Sequence, residues 1–219
     1  MRKDRVIQVL ALIGVVIVVI SIVWVNRPLP PSGGEEIREY NGQKLSSIND
    51  YLEVSIDGTP PIDKASYRLE VVGLGNNTVE YTYDDVITRF QHEEKVVTLY
   101  CVLGWNATLL WEGVRVEDLL KEVGVDPEAK AVVFYAPDGF WTALPLDHIR
   151  ENDIIIAYKI NGLVLQPGKG FPFHLVAENK WGLKWAKWIT KIELSKDASY
   201  KGYYGDLPDD ENLPPELLK

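Results

Sequence analysis

VVTLYCVLGW, residues Val96 to Trp105, is the stretch that decides the fold prediction, and it carries the only cysteine among 219 residues. Its β-branched and aromatic residues predict a strand that delivers Cys101 to its end, because Gly104 then breaks the run. A lone thiol at a strand end is either a metal ligand or a small buried hydrophobe. The stretch by itself leaves both interpretations open.

The overall composition indicates one packed globular domain, since 46% of the residues are hydrophobic and 11% are aromatic. The formal net charge of −9, with no block of Lys and Arg, argues against nucleic acid as a partner because phosphates would be repelled. A single cysteine excludes an internal disulfide and any multi-cysteine zinc or iron–sulfur site.

The N-terminal region predicts a membrane anchor. The uncharged residues from Val6 to Val25 predict a transmembrane helix, because a helix of about 20 residues covers roughly 30 Å of hydrocarbon. Three of residues 1–5 are basic, whereas only Arg27 lies close behind the span. The positive-inside rule therefore predicts a single-pass cell-membrane protein with residues 1–5 in the cytoplasm and the C-terminal domain outside it.

The remaining chain divides by composition into four segments. The proline-rich residues 26–34 predict a linker that is semi-rigid and then flexible. Residues 35–66 lack periodicity and predict an irregular arm, residues 67–205 predict the domain, and residues 206–219 predict an acidic surface tail.

Within the domain, strands outnumber helices and do not alternate regularly with them. This arrangement predicts an α+β class with a mixed or mainly antiparallel sheet. Strands are predicted in YRLEVVG, TVEYTY, AVVFYA, FWTALPL, FPFHLVA, WAKWITKIEL and on both sides of Asn161-Gly162 in DIIIAYKINGLVL. Helices are predicted from Asp84 to Phe90 and from Gly113 to Val125, the second because Val116, Leu119, Leu120 and Val123 follow helical spacing before Gly124.

Five segments, in unbroken order between about Tyr67 and Leu194, together resemble the molybdopterin-binding domain of the sulfite oxidase family. The similarity is closest to its small exported members related to the bacterial methionine-sulfoxide reductase catalytic subunit. The resemblance implies a sulfite-oxidase-like fold around a molybdopterin (molybdenum cofactor), with one protein cysteine bonded to molybdenum. The segments are VVTLYCVLGW, LLWEGVRVEDLLKEVGV, VVFYAPDGFWTALPL, AYKINGLVL and GFPFHLVAENKWGLKWAKWITKIEL.

Cys101 stands at the position that matches this cysteine, so the resemblance implies that it is the metal ligand and the catalytic residue. Molybdenum in such a site needs a soft anionic sulfur beside dithiolene sulfurs and oxo groups, and a thiolate is the protein's source of one. A thiolate at a strand end is also held rigidly, so the open face of the metal can be directed at a substrate.

The resemblance places two lysines of the segment Trp181–Trp188, namely Lys184 and Lys187, near the cofactor's phosphate. Lysine is a compact cation suited to a phosphate. In a strand, residues three apart point to opposite faces, so both lysines reach one phosphate only if a bend lies between them. The alternative for each is a solvated lysine on an aromatic-rich surface strand.

Three further residues are implied as cofactor contacts. His174 ends the segment Gly170–His174, which leads to a pterin contact in the family. Many relatives have arginine there, whereas a neutral imidazole can hydrogen-bond a pterin edge without supplying a fixed charge. Asp138 belongs to a turn that lines the pocket in relatives, and Ser55 belongs to the matching part of the arm. The alternatives are a structural histidine in an apolar strand and a structural turn.

These observations favour a membrane-anchored molybdenum oxidoreductase that transfers an oxygen atom, in a two-electron reaction, to or from a small molecule such as sulfite or a sulfoxide. No haem-attachment motif is present, so a separate membrane or haem electron-transfer partner is expected. The alternative is a cofactor-free binding or assembly module on the same scaffold, because Val54 and Asp57 stand where relatives usually carry an asparagine and a basic residue.

Overall fold

The computed structural model describes residues 34–75, 77–199, 201–205 and 212–217. The predicted transmembrane helix, Val6 to Val25, most of the linker and most of the acidic tail lie outside these ranges. Within the described ranges, no helix is long and apolar enough to cross a bilayer.

The strand that precedes Cys101 belongs to an antiparallel sheet, called here the cysteine sheet. Its two longest strands, β5 (His92–Tyr100) and β6 (Asn106–Arg115), pair along their whole length from His92↔Val114 to Tyr100↔Asn106. The sheet order is β10-β9-β6-β5, and β11 also pairs with β9. The other strands are β9 (Ile155–Ile160), β10 (Leu163–Val164) and β11 (His174–Val176).

A second five-stranded sheet, called here the mixed sheet, has the order β4-β3-β12-β7-β8. Only the β12–β3 pair is parallel, and the other three pairs are antiparallel. The strands are β3 (Leu69–Val72), β4 (Thr78–Tyr81), β7 (Ala131–Tyr135), β8 (Trp141–Pro145) and β12 (Lys191–Ser195). The two sheets and the few short helices confirm the α+β prediction with mixed, mainly antiparallel sheets.

One hydrophobic core contains residues from both sheets and from three short α-helices. The helices are α1 (Tyr83–Arg89), α2 (Val116–Lys121) and α3 (Leu146–Glu151). The start of α1 is fixed by a capping box, in which Asp85 N–H donates to the Thr82 hydroxyl and Thr82 N–H donates to the Asp85 carboxylate. Three 3-10 turns complete the elements: Pro167–Lys169, Gly182–Lys184 and Pro215–Leu217.

Two hairpins follow directly from their turn residues. Asn161 and Gly162 have φ values of 50° and 78°, which is the conformation that a type I′ turn between β9 and β10 requires. The turn Pro137-Asp138-Gly139 joins β7 to β8 as predicted, with Gly139 at a φ of 86°. Both turns use residues that tolerate positive φ at little cost.

The helix expected from Gly113 to Val125 is shorter than predicted. Residues Gly113 to Arg115 belong to β6 and pair with β9, and α2 occupies only Val116–Lys121. A methyl group on Gly113 would lie 2.2 Å from the Ile156 carbonyl oxygen, so the close approach of β9 requires glycine here. Pairing with a distant strand therefore overrides a helical periodicity that begins only at Val116.

The strand expected in WAKWITKIEL is also shorter, since only Lys191–Ser195 is extended in the mixed sheet. Trp188 adopts a φ of 56°, and its indole N–H donates to the Pro167 carbonyl oxygen at 2.6 Å. This turn in the chain lets Trp185 and Trp188 bury their rings before β12 begins. Their burial against other segments explains why β-propensity alone mispredicts this stretch.

The arm is mostly irregular and packs along the cysteine sheet, first at mid-strand level and then beside Trp105 near Cys101. It contains one small hairpin, β1 (Glu39–Tyr40) with β2 (Gln43–Lys44). Two backbone hydrogen bonds attach it to the sheet: Ile37 N–H to the Asn161 carbonyl at 3.0 Å, and Ser46 N–H to the Thr108 carbonyl at 2.8 Å.

Candidate active site

Cys101 lies immediately after β5, in a tight turn that leads into β6. Its N–H donates to the Trp105 carbonyl at 2.9 Å, and its carbonyl accepts from Gly104 N–H at 3.0 Å. Gly104 has a φ of 90°, which explains why a glycine ends the strand run. The thiol is partly buried and forms no disulfide. Its position is thus fixed by backbone hydrogen bonds on both sides.

The 3-10 turn Gly182–Lys184 packs closely against the backbone of this cysteine. A methyl group on Gly182 would lie 3.1 Å from the Tyr100 carbonyl oxygen and 3.4 Å from the Cys101 Cα. A side chain here would make an unusually tight contact and would require the neighbouring backbone to shift by a few tenths of an ångström. The packing joins the two segments that the sequence singled out, VVTLYCVLGW and WGLKWAKW, in space.

Cys101 opens into a cavity of about 280 Å³, near the lower end of the volumes typical of small-molecule sites. Five of the six predicted site residues line this cavity: Ser55, Cys101, Asp138, His174 and Lys187. They come from the arm, the β5–β6 turn, the β7–β8 turn, β11 and the loop before β12. Residues from segments more than 100 positions apart thus meet at one site.

His174 is the first residue of β11 and is completely buried at the back of the cavity. Three aromatic rings surround its imidazole, those of Tyr51, Trp111 and Trp185, with centroid distances of 5.7, 5.0 and 6.1 Å. Among the described residues, neither ring nitrogen has a hydrogen-bond partner of good geometry. A buried polar group normally has such a partner, so the imidazole is suited to one supplied by a bound ligand.

Burial lowers the pKa of His174 well below its usual range, and the positive charges of Lys187 and Lys169 act in the same direction. The backbone of Lys169 acts in the opposite direction and raises the pKa of His174 in part. The imidazole is therefore neutral near pH 7, with one donor and one acceptor nitrogen.

Lys187 supplies the cation of the cavity. Its ammonium donates to the Val54 carbonyl at 2.5 Å and lies 4.3 Å from the centroid of the Trp188 ring. Burial lowers the pKa of Lys187 to about 8, while the charges of Glu53 and Asp138 act in the opposite direction. Because its pKa is about 8, this ammonium is still protonated at neutral pH. Since burial disfavours its charge, a further anion beside it would be a favourable partner.

Lys184, the sixth predicted residue, does not line the cavity. Its side chain is only 1% exposed, and its ammonium donates to the carbonyls of Lys201 at 2.7 Å and Ala143 at 3.3 Å. The structure therefore does not bring Lys184 together with the other five residues. The bend at the end of the 3-10 turn separates the two lysines, and a phosphate contact by Lys184 stays a prediction.

The remaining two predicted residues of the cavity are Asp138, from the β7–β8 turn, and Ser55, from the arm. Asp138 accepts Phe140 N–H at 3.1 Å, which stabilises the β7–β8 turn, and its carboxylate faces the surroundings of Lys187. Ser55 lines the cavity beside Val54. Asp57, which stands where relatives usually have a basic residue, is exposed and is not among the cavity-lining residues.

The structure adds residues that sequence reasoning missed. Tyr51 is buried against His174, and the ammonium of Lys169 donates to its carbonyl and lies 4.7 Å from the centroid of its ring. Trp105 lines the cavity, and its buried indole N–H has no hydrogen-bond partner among the described residues. No local pattern marks Tyr51 or Lys169, but Trp105 lies within the quoted stretch.

These donors fit the cofactor that the resemblance implies. Within the described ranges no three His, Cys, Asp or Glu side chains are close enough to hold a metal by themselves. A group that brings its own dithiolene sulfurs needs only one soft protein ligand, and the Cys101 thiolate would supply it. The unpartnered nitrogens of His174 and Trp105 would hydrogen-bond such a group, and Lys187 would attract its anionic part.

Comparison with known proteins supports the same conclusion. The family model described as the oxidoreductase molybdopterin binding domain matches residues 57–204. The uncharacterized oxidoreductase YuiH of Bacillus subtilis is 33% identical over 143 residues, which cover 65% of this chain and 71% of that protein. A putative protein-methionine-sulfoxide reductase subunit, YedZ1 of Azospira oryzae, is 31% identical over 148 residues, covering 68% of this chain and 55% of that protein.

More distant relatives are larger proteins. The nitrate reductase (NADH) of Solanum lycopersicum is 27% identical over 192 residues, and the match covers 72% of this chain but 21% of that protein. The sulfane dehydrogenase SoxCD of Paracoccus pantotrophus superposes with a TM-score of 0.61 at 21% identity, covering 78% of this chain and 54% of that chain, which shows a shared fold. The chain therefore belongs to the oxidoreductase molybdopterin-binding domain family, the sulfite oxidase family, whose cofactor is molybdopterin.

Proposed function

We propose that this protein is a membrane-anchored molybdenum-cofactor oxidoreductase that transfers an oxygen atom to or from a small oxo-acceptor or oxo-donor. The observation that carries the proposal is the meeting of Cys101, the unpartnered His174 and Lys187 in one cavity. When bound, the cofactor supplies the two-electron redox chemistry. The protein's own part is to bind, orient and exclude water.

Each residue has a distinct task in this proposal. Cys101 provides the soft ligand from a turn that backbone hydrogen bonds hold on both sides. His174 provides a neutral donor and acceptor, and its aromatic surroundings keep water away from it. Lys187 provides the positive charge for the anionic part of the cofactor.

The charge of the cavity bears on the substrate. Lys187 is the one cationic residue among the residues that line it, and no arginine does so. Asp138 adds a negative charge on another wall of the cavity. An inorganic anion such as sulfite would gain little from these surroundings once Lys187 is paired with the cofactor. We therefore favour an uncharged, sulfoxide-like oxo-compound over a sulfite-like anion.

Electrons require a second protein in this proposal. One similar protein carries the word subunit in its name, which is consistent with a catalytic chain that works with a partner. We propose a separate membrane or haem electron-transfer partner on the outer side of the cell membrane. The anchor is the sequence from Val6 to Val25, and retention of the full chain in the membrane pellet after a carbonate wash tests it.

The central experiment is metal analysis of the full chain purified from its native membrane, together with the variant Cys101→Ser. We expect close to one molybdenum per wild-type chain and almost none in the variant, because a hydroxyl of similar size is a poor soft ligand. The thermal midpoint of the variant's apo form should match that of the wild-type apo form. Thr98→Ser, a conservative change on the same strand outside the cavity, should keep its metal.

Two results would contradict the proposal. Less than about a tenth of an equivalent of molybdenum in the wild type would favour a cofactor-free binding or assembly module. Full molybdenum in Cys101→Ser would mean that another group is the ligand.

A further inference from the structure

The arm forms one wall of the cavity, although few hydrogen bonds attach that part of it to the domain. Among the described residues, no hydrogen bond between backbone groups involves residues 51–62. Two lysine ammonium groups join this stretch to the domain instead, because Lys187 donates to the Val54 carbonyl and Lys169 donates to the Tyr51 carbonyl. The arm residues that line the cavity are Tyr51, Leu52, Val54, Ser55 and Ile56.

Lys169 does not line the cavity itself. It lies in the 3-10 turn Pro167–Lys169, and neither this turn nor Gly170 is among the cavity-lining residues. Gly170 has a φ of 100°, and a methyl group on it would lie 3.2 Å from both the His174 Cβ and the Lys187 Cγ. The turn that carries Lys169 is therefore packed, through Gly170, against two residues of the cavity.

The contact of Lys169 with the arm is made through a single residue, Tyr51. The ammonium donates to the Tyr51 carbonyl and also lies 4.7 Å from the centroid of the Tyr51 ring. That ring in turn stacks on the His174 imidazole at a centroid distance of 5.7 Å and an interplanar angle of 29°. Burial lowers the pKa of Lys169, whereas the carboxylate of Glu53 acts in the opposite direction. A partly buried cation thus holds the ring that covers His174.

The two lysines that attach the arm differ in what a bound cofactor would do to them. Lys187 lines the cavity, so in the proposed function its ammonium is engaged by the anionic part of the cofactor. Lys169 has the carbonyl and the ring of Tyr51 as partners, and both belong to the arm. The contact of Lys169 with the arm therefore persists when Lys187 is drawn to the cofactor.

We propose that Lys169 is a positioning residue of the cofactor site, whose ammonium seats Tyr51 against His174 and thereby keeps the arm closed over the cavity. The closed arm keeps water away from the His174 imidazole. This inference rests on the proposed function and deepens it, because it assigns the closure of the cofactor site to a residue outside the cavity.

Proteolysis by chymotrypsin reports directly on Tyr51. The protease binds the aromatic side chain that precedes the cleaved bond in its own pocket, so cleavage after Tyr51 requires the ring to leave His174. The full chain carries Cys101→Ser in these measurements, so that bound cofactor does not contribute. We expect Lys169→Met to raise the rate of cleavage after Tyr51 by about tenfold, because the arm opens more often without a hydrogen bond from a charged group.

Three comparisons separate a local role of Lys169 from a general one. Cleavage after Tyr203, which is 48% exposed, is the internal reference and should not change. Lys169→Arg should restore slow cleavage after Tyr51, because a guanidinium can also donate to the carbonyl and lie over the ring. Lys95→Met removes another ammonium bound to a backbone carbonyl, that of Asn152 at 2.7 Å, and should leave Tyr51 protected.

The outcomes that overturn the positioning role are specific. Unchanged cleavage after Tyr51 in Lys169→Met would show that the arm does not depend on this ammonium. Faster cleavage after both Tyr51 and Tyr203 would mean that Lys169 supports the whole fold. Equal acceleration in Lys169→Met and Lys95→Met would mean that any such lysine has this effect.

The imidazole of His174 supplies a spectroscopic readout. The chain has three histidines, so ¹⁵N NMR of histidine-labelled protein can follow its ring nitrogens, with His174→Gln to assign them. Burial and the charges of Lys187 and Lys169 lower the pKa of His174, so the ring should be neutral at about pH 6. Lys169→Met admits water and removes one charge, so a protonated fraction should appear, and Lys169→Arg should stay neutral. An unchanged signal in Lys169→Met would overturn the proposal.

Molybdenum analysis of chains with Cys101 intact distinguishes failure of this inference from failure of the proposed function. We expect retention after dialysis to fall by about tenfold in Lys169→Met. A wild type without molybdenum, together with release of Tyr51 in the variant, contradicts the proposed function but not the closure of the arm by Lys169. Normal molybdenum in the wild type without release of Tyr51, or undiminished retention in Lys169→Met despite its release, contradicts only this inference.

Discussion

Two lysines of the short segment Gly182–Trp188, Lys184 and Lys187, lie in different surroundings. At one end, Lys184 is buried against the mixed sheet, and its ammonium donates to two backbone carbonyls. At the other end, three residues later, Lys187 lines the cavity with its pKa lowered to about 8. The resemblance to the family implies a phosphate contact for both lysines. The comparison teaches that residue type and spacing identify a candidate, while the chain path decides which candidate reaches the site.

The physical difference lies in the partners of each ammonium. Lys184 has backbone carbonyls that stay in place whether or not a ligand is bound, so it contributes to the fold. Lys187 has one carbonyl, on the exposed arm, and open cavity on its other side. We therefore assign Lys184 to stability and Lys187 to the cofactor, and three predictions test that division.

The largest effect on stability is expected from Lys184→Met. The substitution leaves the carbonyls of Ala143 and Lys201 without this donor in a buried place. The loss should lower the free energy of unfolding by about 2–3 kcal/mol, measured by urea denaturation of the apo protein. Lys191→Met, which removes a partly exposed lysine paired with Glu193, serves as the control and should cost less than about 1 kcal/mol. Equal losses of unfolding free energy in Lys184→Met and Lys191→Met would contradict the assignment of Lys184 to stability.

Lys187→Met should show the opposite profile. In the proposed function the change removes a charge-assisted contact to the cofactor, so molybdenum retained per chain after dialysis should fall by about tenfold or more. The free energy of unfolding of the apo protein should change by less than about 1 kcal/mol, because the lost hydrogen bond to Val54 is offset by relief of burying the charge. Unchanged retention in this variant, with reduced retention in folded Lys184→Met, would reverse the assignment.

The smallest effect is a pH dependence specific to Lys187. Its pKa is about 8 in the folded chain and 10.5 in an ordinary lysine, so the unfolded chain binds more protons between these values. Lys187 should therefore make the free energy of unfolding of the cofactor-free protein rise with pH between about 8 and 10.5. The difference between Cys101→Ser and Cys101→Ser/Lys187→Met, followed by urea denaturation from pH 7.5 to 9, isolates this contribution. No difference in slope would show that Lys187 has an ordinary pKa.

Much of the fold could be predicted from short-range signals. Alternating strands around glycine and asparagine turns were confirmed in β3, β4 and the β9–β10 hairpin, because turn chemistry and side-chain alternation are local properties. The mispredictions occur where a distant partner decides. Gly113 to Arg115 joined β6 because β9 pairs with them, and Trp185 to Thr190 left the strand because two indoles bury elsewhere.

The candidate site shows the same division. Cys101 was identifiable because it is the only thiol and lies in a specific matching stretch. The structure brings Ser55, Asp138, His174 and Lys187 together with it in one cavity, and their roles as cofactor contacts stay predictions. The places of Tyr51 and Lys169 at the site could not be foreseen, since they come from contacts with residues more than 100 positions away.

The sequence by itself determined the α+β class, the family and the thiol on which the proposed chemistry depends. These follow from local propensity, turn residues and the order of five specific segments. Only the tertiary structure decided which lysine faces the cavity. It also showed that, among the described residues, neither His174 ring nitrogen has a hydrogen-bond partner of good geometry, and that six of their seven exposed large hydrophobic side chains line one cavity. Burial and pairing are properties of several segments at once, so no single stretch of sequence can specify them.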